Sequence, residues 1–238
     1  MTINHLVREE KTVVNLHSPP EAVVERLVAQ YATGSLGSGM NVLMASLLTY
    51  NSGLRREYDN MVAVQGVMLD DMEPVALSNS AFDEVLSRLD DGAASPKLND
   101  NGALSSDHGH VNSDLPRALQ TFFDQDLSEL KWRFSYPGVQ HVRLPVGDDN
   151  EDVRLLKIKP GRAAPRHTHK GFEATLVLRG AFRDGGELFE RGDISIANTQ
   201  VDHRPIAEGA QDCYCLAVTT GPLRITDGLR RLVRDFFA

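Results

Sequence analysis

Two histidines and a glutamate, spaced between two glycines, constrain this chain more than any other feature. The run is Gly161, five residues, His167-Thr168-His169, three residues, Glu173, six residues, Gly180. On an extended strand His167 and His169 lie two apart, so both imidazoles leave the same face. Lys170-Gly171 offers a turn, and Phe172 to Leu178 reads as the returning strand, carrying Glu173 among apolar neighbours. Two imidazoles and a carboxylate converging in a hairpin suit a divalent transition metal. An acid buried there without a cation or a hydrogen-bond partner would be costly. The plainer alternative, a hairpin with two surface histidines and an exposed glutamate, leaves the full spacing and both glycines unexplained.

Three protein donors seldom complete a site unless a catalytic position stays open. A fourth is available downstream, where Arg191-Gly192-Asp193-Ile194-Ser195-Ile196-Ala197 is followed by Asp202-His203-Arg204-Pro205. Gly192-Asp193 makes a turn, Ile194 and Ile196 alternate into a core, and His203 completes a set of three histidines and one glutamate.

The rest of the composition excludes more than it adds. A chain of 238 residues has room for one large domain or two small ones. Its net charge is −8 with no block of Lys or Arg, which argues against a direct nucleic-acid-binding surface. No apolar run approaches membrane-spanning length, and no signal-peptide core opens the chain. Two cysteines are too few for a secreted disulfide scaffold and point to the reducing cytoplasm.

The two halves differ in periodicity. Ser18-Pro19-Pro20-Glu21 is a helix start, and Val23, Val24, Leu27, Val28 and Tyr31 follow on one helical stripe. A second helical stretch runs from Met40 to about Tyr50. A third runs from Leu54 to Leu69, with Leu54, Tyr58, Met61, Val62 and Leu69 as its apolar set. Ser80-x-x-Asp83 resembles a capping box for a last helix bearing Phe82, Val85, Leu86 and Leu89. Residues 91–113 are rich in Gly, Ser, Asn and Asp, a linker composition. His108-Gly109-His110 inside that stretch copies the ligand spacing without a nearby third donor and reads as a decoy. From Leu115 onward a short helical piece gives way to short strands, among them 153–159, 173–178, 194–197 and 214–218, punctuated by glycines. The expected architecture is therefore α+β. A helical domain spans residues 1–90, a linker 91–113, and a metal-binding β-barrel domain 114–238.

The two histidine motifs resemble those of the cupins, which are double-stranded β-helix barrels. The whole chain resembles the ChrR-type anti-sigma factors, a helical anti-sigma domain joined by a linker to a metal-binding cupin. That resemblance is carried by Met1-Thr2-Ile3-Asn4-His5, Glu73-Pro74-Val75-Ala76-Leu77-Ser78 and Leu176 to Asp184. It continues through Asp212-Cys213-Tyr214-Cys215-Leu216-Ala217 to Phe236-Phe237. It implies a protein that holds an extracytoplasmic-function sigma factor inactive through its helices. Its cupin would carry a metal and respond to singlet oxygen or related oxidants. It implies His167, His169, Glu173 and His203 as ligands of one divalent metal, zinc first, with iron, manganese or nickel as alternatives. The family's structural zinc in the helical domain uses an N-terminal His and a later H-x3-C-x2-C. That later motif falls on Ser46, Tyr50 and Gly53, leaving only His5, so no zinc is expected there.

Two functions remain open from these residues. One is a sensor and regulator, in which Cys213 and Cys215 are the redox candidates. Two apart on a strand, their Cα atoms would sit roughly 6.6 Å apart, near the upper limit for a disulfide. The other is a metal-dependent cupin enzyme of the dioxygenase or isomerase type, which no dedicated acid–base pair in the sequence identifies. A homodimer is left open.

Overall fold

The structure is a computed structural model that describes residues 14–15, 21–90, 115–123, 125–147 and 150–226. A two-residue strand β1 (Val14–Asn15) precedes α1 (Glu21–Ala32), α2 (Ser38–Tyr50), α3 (Ser52–Asp70), α4 (Ala81–Asp90) and the short α5 (Arg117–Gln120). Strands follow: β2 (Arg133–Tyr136), β3 (Val139–Arg143), β4 (Glu151–Ile158), β5 (His167–His169), β6 (Glu173–Arg179) and β7 (Ala181–Asp184). The last are β8 (Glu187–Glu190), β9 (Ile194–Ala197), β10 (Asp202–His203), β11 (Ile206–Glu208), β12 (Cys213–Thr220) and β13 (Leu223–Ile225). Helices followed by a β-rich domain are as expected. His5, His17, the 91–113 stretch with its His108-Gly109-His110, and Phe236-Phe237 lie outside the described residues.

Seven strands form one antiparallel sheet in the order β1-β9-β6-β12-β4-β3-β2. Two three-stranded sheets, β10-β5-β13 and β11-β7-β8, complete the β domain. A closed barrel was expected. Among the described residues the hydrogen bonding instead breaks into these three sheets. The difference arises at β5 and β7, which pair with β10 and β13 or with β8 and β11 rather than with the large sheet.

Alternation along the central strands divides the large sheet into two apolar surfaces. On β12, Tyr214, Leu216 and Val218 join the core that includes the helices, while Cys213 and Cys215 point into a second cluster with Val177, Phe182 and Phe189. On β4, Val153 and Leu155 take the helix side. The site described below occupies the opposite face.

The first two helices belong to this sheet. Val24, Leu27 and Val28 of α1 and Leu43, Met44 and Leu47 of α2 are buried in one core with Val153, Leu176 and Ile194. Each large apolar side chain so buried contributes about 1.5–3 kcal/mol. The start of α2 is completed by the β domain. The Gly39 N–H donates to Glu151 Oε2 at 2.7 Å, a carboxylate at the positive end of a helix. The Gly147 N–H donates to Ser38 Oγ at 3.1 Å. Ser46 is buried and donates to the Val42 carbonyl at 2.7 Å.

The chain divides into two compact units, Met1–Val62 with Ser113–Ala238, and Ala63–Asn112. This division differs from the expected boundary after residue 90, because α1 and α2 share their core with the sheet. It runs through α3. Leu54, Tyr58 and Met61 pack partly against the first core, but Val62 and Leu69, expected in the same buried set, are exposed. In the second unit α4 forms where expected, yet its Phe82, Val85 and Leu86 are exposed, Phe82 at 71%. Ser80 donates to the Glu84 carboxylate at 2.8 Å, one residue beyond the partner expected for a capping box.

Candidate metal centre

The first histidine pair occupies β5, with both rings buried. The turn that returns the chain to β6 is fastened to the end of β12. The Phe172 N–H donates to Thr220 Oγ1 and the Thr220 N–H donates to the Phe172 carbonyl, each at 2.8 Å. Gly171 is required there, because a Cβ at that position would lie 1.6 Å from the Thr220 carbonyl oxygen. Glu173 opens β6, facing the two rings. His203 sits on β10, directly opposite His167 in the antiparallel ladder.

These four expected residues come together. Their candidate ligand atoms lie within 4.8 Å of one another, and all four residues are buried. His203 Nε2 is 3.0 Å from His169 Nε2 and 3.1 Å from His167 Nε2. Glu173 approaches the three rings at 3.7 to 3.9 Å. Two donors sharing one ion at 2.0–2.1 Å stand about 3 to 3.4 Å apart, so this spacing fits a common cation.

The hydrogen bonds behind the rings fix which nitrogens face inward. The Nδ1–H of His167 donates to the Pro165 carbonyl at 2.7 Å, and that of His203 donates to Asp184 Oδ2 at 2.5 Å. Both Nε2 atoms therefore present lone pairs to each other across 3.1 Å. Only a shared proton or a metal cation relieves that contact. His169 Nδ1 is also buried, with no hydrogen-bond partner. A buried group of three histidines and one glutamate of this kind can hold a metal ion.

The electrostatics of the metal-free chain agree with this picture. Burial pulls His169 down to about 4, so it stays a neutral donor at neutral pH. Burial also opposes protonation of His167, but the adjoining Glu173 carboxylate outweighs it and raises that imidazole above its usual value. Burial works against the ionised form of Glu173, yet His167 beside it, with His169 and His203, holds the acid down at about 2. The carboxylate is ionised and ready for a cation.

Asp184 was not identified from the sequence. Buried at the end of β7, it orients His203 as a carboxylate behind a ligating imidazole does. The available signal was its placement two residues after Phe182, on the inward face of the same strand. Arg154 was missed in the same way. It lies on β4 and lines a cavity of about 50 Å3 whose walls include His167, Glu173, His203 and Cys215.

Cys213 and Cys215 face the same cluster, with their sulfurs 3.6 Å apart and both thiols free and buried. The register between β12 and β6 shifts between Tyr214 and Cys215. The neighbouring Cys213 and burial together push the Cys215 thiol well above its ordinary value. A protonated thiol is a poor nucleophile, so Cys215 is unreactive while it stays in this environment.

The anti-sigma-E factor ChrR of Cereibacter sphaeroides is 35% identical over 215 residues, 90% of this chain and 96% of the relative. The chain belongs to the ChrR family. The family model of the ChrR cupin-like domain matches residues 122–224, which include the four donors, Asp184 and both cysteines. The fold agrees with a chain in the crystal structure of Rhodobacter sphaeroides SigE in complex with the anti-sigma ChrR. The match has a TM-score of 0.66 and 34% identity and covers 82% of this chain and 96% of that one.

Proposed function

We propose that this ChrR-family chain holds an extracytoplasmic-function sigma factor inactive through its helices, and that its cupin, carrying one metal ion, reports oxidative stress. The observation that carries the proposal is apolar surface exposed at helical spacing. Val64, Val67 and Met68 line the later part of α3, and Phe82, Val85 and Leu86 line α4, all exposed. Such rows at i, i+3 and i+4 suit helix-mediated docking. The similar ChrR chain is named for its complex with SigE. No described helix is long and apolar enough to cross a membrane, consistent with a cytoplasmic partner.

The metal ligands in this reading are His167, His169, Glu173 and His203, with Asp184 and the Pro165 carbonyl holding two imidazoles in the ligating tautomer. Zinc suits nitrogen and carboxylate donors, and iron, manganese and nickel accept the same set. When bound, the ion supplies a Lewis-acid centre that can take up an oxygen ligand. The residues of this chain do the rest. Glu173 supplies negative charge, the apolar cluster around Phe182 and Phe189 limits water, and Cys213 and Cys215 stand behind the site as redox candidates. Oxidation of the pair requires the sulfurs to close from 3.6 Å to the roughly 2 Å of a disulfide, and thus a rearrangement of β12.

The test is capture of the host's extracytoplasmic-function sigma factors by the tagged full-length protein, followed by transcription in vitro. A stoichiometric complex that silences sigma-dependent transcription supports the reading, and Phe82→Asp should weaken that complex about tenfold or more. Failure to bind any of those sigma factors overturns it. The cavity beside the donors favours a second reading, a metal-dependent enzyme of the dioxygenase or isomerase type. Turnover of a small substrate by the metal-loaded protein, with no sigma factor bound, would establish that alternative.

A further inference from the structure

The four donors of the metal centre are not held alike. Three of them have a partner in the chain behind them. His167 is tied through Nδ1 to the Pro165 carbonyl, and His203 through Nδ1 to Asp184 Oδ2. Glu173 accepts at Oε1 from the Thr175 hydroxyl at 3.2 Å. His169 has no such tie. Its side chain is only 1% exposed, yet its buried Nδ1 makes no hydrogen bond.

The placement of its two nitrogens is also different. His169 Nε2 lies 3.0 Å from His203 Nε2, and His169 Nδ1 lies 3.7 Å from Glu173 Oε2. Both nitrogens of this ring therefore border the donor group, whereas His167 and His203 each offer Nε2 alone. An imidazole whose tautomer nothing fixes can turn either nitrogen to a cation. The backbone repeats the asymmetry. His167 has ladder partners on both sides, His203 and Ile225. The β10 ladder ends one residue short of His169, at Asp202 opposite Thr168, so His169 pairs only with Leu223 of β13. The cavity repeats it again: His167, Glu173 and His203 line its wall, and His169 does not. A small ligand entering there reaches the site on the side of the three tied donors.

We propose that His169 is the exchangeable ligand of this centre, the one imidazole that yields to an incoming ligand or swaps its coordinating nitrogen while His167, Glu173 and His203 stay. The inference rests on the metal reading of the same site and deepens it by naming the residue through which the site changes state. Loss of the partner behind a ligating group typically lowers metal affinity about 10–100-fold, so the untied ring contributes least to holding the ion. One loose donor among four lets the coordination change without emptying the site. A centre built this way reports a signal and keeps its ion.

The experiment uses the full-length protein loaded with zinc, its content checked by elemental analysis. Chelator competition compares His167→Ala, His169→Ala and His203→Ala, with the Tm of each metal-free variant as the check on folding. His169→Ala is expected to hold zinc at least about tenfold more tightly than either of the other two. A second measurement needs no substitution: nitrogen NMR of the isotope-labelled histidine rings in the zinc-loaded parent, titrated with free imidazole. His167 and His203 are expected to keep a bound Nε2 and a hydrogen-bonded Nδ1–H throughout, while the His169 signals shift or broaden. Where a variant does not fold, the titration decides alone. A loss at His169→Ala as large as at the other two, or three rings that respond alike to imidazole, overturns the proposal and leaves the metal reading standing. A folded chain that takes up no zinc or other divalent metal overturns both.

Discussion

Helix α2 and helix α4 carry similar apolar stripes and have opposite fates. Leu43, Met44 and Leu47 of α2 are fully buried, whereas Phe82, Val85 and Leu86 of α4 stand in solvent. An amphipathic pattern states that a helix has a partner but not where that partner is. For α2 the partner is the outer face of the cupin sheet in the same chain. For α4 the proposed partner is another protein. The helical half is thus not one functional object: its first part builds the cupin's wall, and its later part offers a surface.

The comparison can be broken most directly by cutting the chain. Residues 1–90 expressed alone should lack a cooperative thermal transition, because α1 and α2 lose the sheet that buries them. A sharp transition in that fragment would show that the helices hold themselves. Within the full chain, Leu47→Ala should cost about 2–5 kcal/mol in denaturant unfolding. Phe82→Ala should fall within about 0.5 kcal/mol of the parent. Similar costs at both sites would mean that α4 is also packed within the chain.

The metal site offers a sharper contrast still. His167→Ala combined with His169→Ala should remove the bound metal from the purified protein without affecting the α4 surface, as read by sigma-factor capture. The pH dependence follows from His167, which is raised above its usual value and must lose a proton before it can ligate. Metal affinity, measured by chelator competition, should therefore strengthen as pH rises past the ordinary imidazole range. Flat affinity across that range would exclude His167 as a ligand. A modest effect is expected at the α2 cap, where Glu151→Gln should cost about 1 kcal/mol. A loss several times larger would show that Glu151 does more than cap.

What the sequence made legible followed from local geometry. His167, His169 and Glu173 lie within seven residues. The expected hairpin does not form, because β5 and β6 join different sheets, but period two along β5 and the short connection to β6 still bring the three together. His203 required only that a later strand return to the same place. Strands β4, β6, β9 and β12 were visible as alternating or β-branched runs, and they lie within two residues of where those runs placed them. Asp184 and Arg154 were not visible, because each gains meaning only from cross-strand neighbours far away in the chain. Burial along α3 failed for a related reason. Its apolar set continues past Met61, but the surface it could cover ends, so Val62 and Leu69 remain exposed. Closure of the barrel depends on which strands choose each other, and no single strand encodes that.

Strand β4 presents Glu151 to the first turn of α2 and, one residue later, Asp152 to the cavity. Heredity has consequences here that anatomy alone hides. A recombination joining the helices of one family member to the cupin of another would separate α2 from the carboxylate that starts it. Chimaeras cut between helix and sheet should therefore inherit a frayed helix, whereas a crossover placed after α3 leaves helix and carboxylate together. The natural joint for exchanging partner specificity would then lie inside what looks like one helical domain.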